Sequence, residues 1–326
     1  MRSWRWVGGT AVCCSQLPAG ASYATLASMA SPRSFRLEML QVARLAPKLL
    51  GESAALVEKF LYSQLTPEGG FADRQGKPDL YYTVFGLESL LALRAEAPRA
   101  SVSAYLRSFG HGAGLDFVHA CSLARCHANL GGDAISESER HALGDLIETY
   151  RTPEGGYHGT RGRAAGSAYG GLLAWGAYND LGLPMPQEER LGEALAALAL
   201  PDGSFANEPG MREGTTTTTA AAVTLARHLS FPLPGGTGDW LLKQVHPSGG
   251  FLATPRAPLP DLLSTATALH ALEGLQIPFG NLRELCLDFI DSLWSAEGGF
   301  HGHWADDHLD AEYTSYGLLA LGHLSA

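Results

Sequence analysis

The chain has 326 residues, a hydrophobic content of 45% and a formal net charge of −10. This length allows one large domain or two ordinary ones, with enough apolar residues for a sizeable core. The acidic balance and the lack of a basic run argue against nucleic-acid binding. No uninterrupted apolar stretch reaches about 18 residues, so no transmembrane segment is expected.

The cysteine pattern indicates a reducing compartment. The chain contains Cys13, Cys14, Cys121, Cys126 and Cys286, an odd number with spacing unlike a disulfide framework. Disulfides are rare in proteins that stay in the cytosol. A cytoplasmic location is therefore expected.

Residues 1–35 differ in composition from the rest of the chain. Two arginines are followed by small residues, and glycine and polar residues between Gly8 and Ser15 interrupt the apolar core that a signal peptide needs. We interpret this segment as an N-terminal extension that is either disordered or not part of the protein. In the second case the start site is assigned too early, and Met29 or Met39 is the true start. A signal peptide is the other interpretation. The folded domain is predicted over residues 36–326.

Helical periodicity begins at Arg36. Leu37, Leu40, Ala43 and Leu45 predict an amphipathic first helix, with these residues on its apolar side. This helix precedes the first of several similar repeats.

The first repeat shows the unit from which the domain is built. A predicted helix over 53–64 ends at the turn Gly69-Gly70, because paired glycines interrupt helices. After a polar loop comes Asp79, whose carboxylate can accept the free N–H groups of a first helical turn. A second, apolar helix is predicted to follow over 80–96. One repeat is therefore helix, Gly-Gly-aromatic turn, polar loop, helix.

This unit recurs along the chain. Related turns begin at Glu68, Glu154, Asp202, Ser248 and Glu297, spaced by roughly 48 residues or a little under twice that, as in repeat architectures. The first helices of the six predicted pairs lie at 53–64, 101–109, 137–150, 188–198, 239–245 and 282–294. The second helices are predicted at 80–96, 117–130, 167–180, 215–229, 262–275 and 311–324.

The two helices of each pair differ in character, and this difference predicts an all-α, (α/α)6 toroid. The first helices are amphipathic, whereas the second helices are apolar on nearly every face and should be buried on every face. Two concentric rings satisfy both patterns. An open solenoid is the alternative, but the strongly apolar second helices favour closure.

In such a barrel the first turns of the inner helices surround a cavity. The residues just past the predicted caps are Tyr82, His119, Gly166, the run Thr215–Thr219, Ser264 and Tyr313. One turn further come Phe85, Ser122, Tyr169, Thr219, Thr267 and Tyr316. A mostly apolar cavity with few polar groups suits a lipid-like ligand. For each residue, ordinary core packing is the alternative.

Several segments resemble a known superfamily. Phe60-Leu61-x-x-Gln64 before Gly69-Gly70-Phe71, and Trp240-Leu241-x-x-Gln244 before Gly249-Gly250-Phe251, are similar to the QW-type repeats of protein prenyltransferase β subunits and squalene–hopene-type cyclases. Gly166–Trp175 and Asp310–Leu321 are similar to prenyltransferase inner helices. The resemblance extends from about Ser53 to the C-terminus. It implies an isoprenoid ligand and, as for prenyltransferases, pairing with a helical-repeat α-type subunit.

The active-site residues of these families are largely missing. Protein prenyltransferases hold zinc with Asp-x-Cys and His, and the zinc activates the acceptor thiol. This chain has Ser264-Thr265-Ala266 and Tyr313 at those positions. The family's diphosphate-binding arginine corresponds to Gly166, while Arg256 is a weak match to another phosphate-binding residue. The Asp-x-Asp-Asp acid of triterpene cyclases has no counterpart. We therefore predict a non-standard site.

A relocated zinc site is one alternative. His119 and Cys121 are both good zinc ligands at a ring position, and Asp116 is a conceivable third ligand. The alternative is a hydrogen-bonded histidine beside a buried structural cysteine.

The last loop offers a second metal hypothesis. Asp306-Asp307-His308-Leu309-Asp310 has the Asp-Asp-x-x-Asp form with which class I terpene synthases hold magnesium. His301, His303 and His308 lie in the same loop. A solvated acidic loop is the alternative.

These patterns predict an isoprenoid-binding protein that performs a prenyl-transfer or cyclase-like step. The candidate catalytic residues, which could act as acids or bases, are His119, Tyr313 and Tyr82. The candidate ligand-binding residues are Phe85, Tyr169, Ser264, Tyr316 and Arg256. One alternative is a non-catalytic toroid that binds a lipid or protein partner. The other is a zinc-dependent prenyltransferase β-like subunit with a relocated metal site.

Overall fold

A computed structural model of the chain describes residues 5–7, 10–12, 34–131 and 134–325. These divide into two units, Met1–Arg33 and Ser34–Ala326. In the first unit β1 (Arg5–Val7) pairs antiparallel with β2 (Thr10–Val12). Most of the predicted N-terminal extension lies outside the described residues, so its interpretation stays a prediction.

The second unit begins with three short elements. They are helix α1 (Phe35–Ala43), helix α2 (Pro47–Leu50) and a 3-10 turn over Gly51–Ser53. Phe35, Leu40 and Ala43 of α1 are buried, whereas Leu37 is 43% exposed. The prediction that Leu37 faces the core was therefore wrong, because α1 turns a different side toward the protein.

Twelve further helices in the described part of the chain form two rings. The outer helices are α3 (Ala54–Ser63), α5 (Arg99–Arg107), α7 (Glu137–Glu148), α9 (Glu188–Ala196), α11 (Thr237–Leu242) and α13 (Arg283–Ser292). The inner helices are α4 (Leu80–Leu93), α6 (Phe117–Leu130), α8 (Ala168–Leu181), α10 (Thr216–Leu229), α12 (Leu262–Gly274) and α14 (Ala311–Leu324). Helix α4 ends before its predicted end because Arg94 caps it in a left-handed conformation, with φ of 59°.

The inner ring is closed. Helices α4, α6, α8, α10, α12 and α14 pack in that order, and α14 returns to α4. Arg74 from the first repeat donates to Asp310 and Asp306 of the last repeat, at 2.8 and 2.9 Å. Gly298 has φ of 98°, and a Cβ there would lie 2.2 Å from the Leu56 carbonyl oxygen on α3. The (α/α)6 toroid is therefore confirmed over the open solenoid.

Side-chain caps set where each inner helix begins. The caps that accept first-turn backbone N–H groups are Asp79, Asp116, Ser167, Thr215, Asp261 and Asp310. Each satisfies a donor that has no partner inside its own helix. The predicted capping role of Asp79 and Asp116 is confirmed. All six helices start at one rim of the ring.

The repeated turns are locked to the inner helices by threonines. The backbone N–H groups of Phe71, Phe205, Phe251 and Phe300 donate to the hydroxyls of Thr83, Thr219, Thr265 and Thr314, at 2.9, 3.1, 2.9 and 3.4 Å respectively. The prediction that Thr219 lines the cavity was wrong, because its hydroxyl holds Phe205 in the buried layer between the rings. Gly317 leaves room for the Phe300 ring, since a Cβ there would lie 2.7 Å from it.

Extended structure in this unit is minimal. Strand β3 (Phe71–Ala72) pairs with β4 (Pro78–Asp79), and β5 (Phe251–Leu252) pairs with β6 (Pro260–Asp261), both antiparallel. These pairs form where a turn and the following loop lie side by side before an inner helix. Across the described ranges, no helix is both long and apolar enough to span a bilayer.

Candidate functional site

Helix α1 lies across the C-terminal ends of the inner helices. The Phe35 ring packs against Gly176 and Trp175, with ring centroids 6.1 Å apart in the second contact. Arg36 donates to Asp180 at 2.7 Å and to Asn129 at 3.0 Å. Because Asn129 and Asp180 belong to the last turns of α6 and α8, α1 forms a floor under the ring. The sequence predicted this helix but not its position.

Above this floor lies a central cavity of about 510 Å³. It is bounded by α1 and by all six inner helices. Apolar residues that line it include Phe35, Met39, Leu40, Val84, Leu172, Leu173, Ala220, Ala221, Leu318 and Leu319. The volume falls in the range of small-molecule sites, about 300–1,000 Å³. The toroid therefore encloses a ligand-sized, mostly apolar space.

Aromatic side chains surround the end of the cavity opposite α1. Phe85, Tyr169 and Tyr316 line it, as the sequence-based alignment of the repeats placed them. Tyr81 lines it too, and its ring meets Phe85 edge to face at 4.9 Å. Tyr169 is 41% exposed. The predicted Tyr82 does not line the cavity, because Tyr81 occupies the inward-facing position on α4.

His119 is held between two helix caps rather than in the cavity. Its Nε2 lies 3.0 Å from Asp79 Oδ2 and its Nδ1 lies 2.8 Å from Asp116 Oδ2. The hydrogen bond to Asp79 raises the pKa of His119 to about 9, with Asp116 adding to the rise and burial opposing it. His119 is thus an imidazolium at neutral pH that links the starts of α4 and α6.

The donor set predicted for zinc is not assembled. A histidine ligand must be neutral, whereas both ring nitrogens of His119 face carboxylates. Cys121 lines the cavity instead, and burial raises the pKa of its thiol above the ordinary value. Nowhere in residues 34–131 and 134–325 do three His, Cys, Asp or Glu side chains form a group suited to a metal ion. The zinc site predicted at His119, Cys121 and Asp116 is therefore not supported by these side-chain positions.

The acidic loop before α14 is engaged by a cation from the first repeat. Asp306 and Asp310 accept hydrogen bonds from Arg74, and Asp310 also caps α14. His301 contributes a 3.0 Å hydrogen bond to the His308 carbonyl oxygen. In the described chain these side chains hold the loop together and close the ring.

The remaining predicted site residues lie outside the cavity. The Ser264 hydroxyl donates to Asp261 Oδ2 at 2.7 Å, within the cap of α12. Arg256 is largely exposed and pairs with Glu213. Tyr313 packs under the Arg74 guanidinium, 5.3 Å from its ring centroid. None of these three side chains lines the central cavity.

A carboxyl group that the sequence-based search did not select lies beside the cavity. The Tyr81 hydroxyl donates to Glu312 Oε1 at 2.6 Å. Burial raises the pKa of Glu312 to about 7, with the Tyr81 hydrogen bond opposing the rise and Asp310 adding to it. A carboxyl group with this pKa can give or take a proton near neutral pH. The signal was available, since Glu312 is a charged residue in the otherwise uncharged first turn of an apolar inner helix.

Glu312→Gln should change how stability depends on pH. The unfolded carboxyl ionises near pH 4.5, whereas the folded one keeps its proton until about pH 7. Wild-type stability is therefore lost as pH rises from 4.5 to 7, and the neutral amide avoids this loss. Relative to wild type, the variant should gain up to about 3 kcal/mol between pH 4 and 8. Urea unfolding across this pH range measures the difference.

Glu297→Gln is the matched control, since Glu297 is exposed in the preceding turn. Its free energy of unfolding should depend on pH as that of the wild type does. A Glu312→Gln profile that parallels wild type would show that Glu312 ionises normally.

A second cluster that the sequence did not predict lies on the cavity wall near α1. Arg125 donates to Glu88 through Nε at 2.6 Å and through Nη2 at 2.7 Å. Asn129 donates to Glu88 at 3.1 Å. Arg36 pairs with Asp180, so the cluster contains two positive and two negative charges and has no net charge. The partners of each pair come from different helices, which is why no local pattern reveals them.

The sequence matches the prenyltransferase alpha-alpha toroid domain family over residues 6–108, 117–232 and 234–324. The chain therefore belongs to that family. A comparison with curated proteins finds no match.

Solved structures share the fold at low sequence identity. Candida albicans protein geranylgeranyltransferase-I, complexed with GGPP, aligns with a TM-score of 0.59 and 15% identity, covering 79% of this chain and 87% of that one. The Scytonema type II terpene cyclase MstE, in complex with geranylgeranyl dihydroxybenzoate, aligns at 0.59 and 12%, covering 87% and 97%. The GH76A alpha-1,6-mannanase from Salegentibacter aligns at 0.59 and 14%, covering 84% and 98%. At these identities the similarity establishes the fold alone.

Proposed function

We propose that this protein binds an isoprenoid chain in its central cavity. The observation that carries the proposal is the apolar, aromatic-rimmed space of about 510 Å³ with a closed floor. Two of the solved structures contain geranylgeranyl compounds, whereas a third is a mannanase. A sugar site needs many free hydrogen-bonding groups, whereas the charged groups of this lining, Glu88, Arg125 and Asp180, already bond to protein side chains and most of the other lining residues are apolar or aromatic. The lining therefore favours the isoprenoid.

The charge of the lining favours an uncharged ligand over a prenyl diphosphate. Arg125 lines the cavity, and the carboxylate of Glu88 already neutralises its charge. His270 also lines the cavity, but burial lowers its pKa to about 4, so it is neutral. A diphosphate placed here would lose its hydration without gaining an unpaired cation. The preferred ligand class is thus a prenyl chain with a neutral end.

The Tyr81–Glu312 pair favours acid–base chemistry on this ligand as the catalysed step. The pair lies where α4 and α14 begin, next to the aromatic rim. The pKa of Glu312, about 7, suits proton transfer near neutral pH. Such a step replaces the zinc-activated thiol of protein prenyltransferases. Tyr81 lines the cavity and connects Glu312 to it through this hydrogen bond, whereas His119, Tyr82 and Tyr313 do not line the cavity and are assigned no part in the step.

Filling the cavity tests the binding proposal. Ala221 lines the cavity, so Ala221→Phe places a ring inside it. We expect purified wild-type protein to retain geranylgeraniol in equilibrium dialysis and the variant to lose at least about tenfold in affinity, since the ring displaces part of the buried chain. Ala55→Phe, on the exposed side of α3, is the control and should bind as wild type does.

Two outcomes would overturn the proposal. One is wild-type protein that retains no isoprenoid but binds an alpha-1,6-linked mannooligosaccharide. The other is Ala221→Phe that folds, by circular dichroism, and still binds geranylgeraniol with unchanged affinity.

Location and partner are secondary proposals. Cys121, Cys126 and Cys286 are free and buried, which supports a reducing compartment such as the cytoplasm. A helical-repeat α-type partner follows from the resemblance to prenyltransferases and is tested by co-purification of the full chain.

A further inference from the structure

We propose that the cavity contains a polar subsite on its α4–α6 wall that binds the neutral oxygen-bearing end of the ligand. The inference rests on the proposed function and deepens it. It concerns three side chains, Ser89, Ser122 and Arg125, which all line the cavity. Ser89 lies on α4, and the other two lie on the neighbouring helix α6, which packs against α4.

Two of the three carry a polar group left over after the internal hydrogen bonds are made. Ser89 is 1% exposed, and its hydroxyl is buried with no hydrogen-bond partner in the described chain. Arg125 uses Nε and Nη2 on Glu88, which leaves Nη1 without a partner among the described residues. Ser122 is 7% exposed and lines the same cavity. Buried polar groups normally have partners, so a ligand atom is the natural one here.

The arrangement of the helices places these groups in one region. Ser122 and Arg125 are three residues apart on α6 and therefore share a face. Ser89 directly follows Glu88 on α4, and Glu88 binds Arg125 through two hydrogen bonds. The subsite thus surrounds the Glu88–Arg125 pair, within an otherwise apolar wall.

The chemistry of the subsite selects the ligand's end group. The Arg125 Nη1 group donates, and each serine hydroxyl can donate or accept. Glu88 and Asp180 also line the cavity, so an added carboxylate or phosphate would face two buried acids. An alcohol, aldehyde or ketone oxygen meets the donors without adding charge. The structure therefore assigns a prenyl alcohol or carbonyl compound, with its oxygen toward Arg125.

The test compares three probes that share one chain: geranylgeraniol, its deoxygenated hydrocarbon and geranylgeranyl diphosphate. Wild-type protein should bind the alcohol at least about tenfold more tightly than the hydrocarbon, because a hydrogen bond to a charged donor is worth this much. The diphosphate should bind more weakly than the alcohol. Equilibrium dialysis with mass-spectrometric quantification measures all three.

A double variant isolates the subsite. Glu88→Leu with Arg125→Met removes both charges together, so no unpaired ion remains, and should bind the alcohol and the hydrocarbon within about twofold of each other. The control is Arg163→Met with Glu208→Leu, which removes an exposed pair joined at 2.9 Å and should keep the alcohol preference. If the double variant does not fold, Ser89→Ala and Ser122→Ala should each lower alcohol affinity severalfold while hydrocarbon affinity stays the same.

The outcomes separate this inference from the function on which it rests. Equal binding of alcohol and hydrocarbon by wild type, or a preference that survives in the double variant, would overturn the subsite alone. Tighter binding of the diphosphate than of the alcohol would overturn the neutral end group. Failure of wild type to bind any of the three probes would overturn the proposed function as well.

Discussion

Arg125→Met is expected to lower the free energy of unfolding by about 3–5 kcal/mol. The Arg125 and Glu88 side chains are only 16% and 9% exposed, and two hydrogen bonds of 2.6 and 2.7 Å join them. Burial alone would lower the pKa of Arg125, but Glu88 raises it above the ordinary value. Removing the guanidinium leaves Glu88 buried without its counter-ion. Urea unfolding at pH 7, followed by circular dichroism, measures the loss.

The matched control removes both charges. Glu88→Leu with Arg125→Met leaves no unpaired ion and should recover most of the stability, since replacing a buried pair by apolar residues is often neutral. If the single and double variants were equally destabilised, the loss would come from packing rather than from the unpaired carboxylate. That result would contradict the assignment of a coupled pair on the cavity wall.

Phe35→Ala is expected to cost about 3–5 kcal/mol, as large core truncations do. The ring is 4% exposed, and it contacts Trp175 and the Arg125 guanidinium, which lies 5.2 Å from its centroid. Because α1 is the floor of the cavity, we expect the same change to weaken binding of geranylgeraniol. Thermal and urea unfolding, together with dialysis, give the two effects.

Leu37→Ala provides the comparison on the same helix. Leu37 is 43% exposed, so its truncation should stay within about 0.5 kcal/mol of wild type and leave binding unchanged. A similar loss in both variants would mean that α1 is weakly docked and responds to helix propensity instead. A stable Phe35→Ala protein with normal binding would show that α1 is not the floor.

Half-buried ion pairs around α1 add to its attachment. Glu38 accepts a hydrogen bond from Arg227 at 2.9 Å and lies 3.3 Å from His228. His228 lowers the pKa of Glu38 to about 2, with Arg227 adding to the fall and burial opposing it. Helix α1 therefore joins the ends of three inner helices through Asn129, Asp180 and Arg227.

Some site residues could be selected from the sequence and others could not. Phe85, Tyr169 and Tyr316 line the cavity as the alignment of the repeats placed them, because equivalent positions in a repeat face the same way. The alignment failed one turn earlier, at Tyr82, His119, Ser264 and Tyr313. At the start of an inner helix, side chains meet caps and loops from neighbouring repeats, and those contacts decide their orientation.

The sequence by itself determined the number, order and approximate ends of the helix pairs and which helix of each pair is buried. Those properties depend on local signals, namely glycine turns, caps such as Asp79 and the apolar character of the second helices. Only the tertiary structure decided which side chains share the cavity. An inner helix turns by about 100° per residue, so one position separates Tyr81 inside from Tyr82 outside. Closing the ring brings Arg74 to Asp310, and packing brings Arg125 to Glu88, contacts that no local pattern encodes.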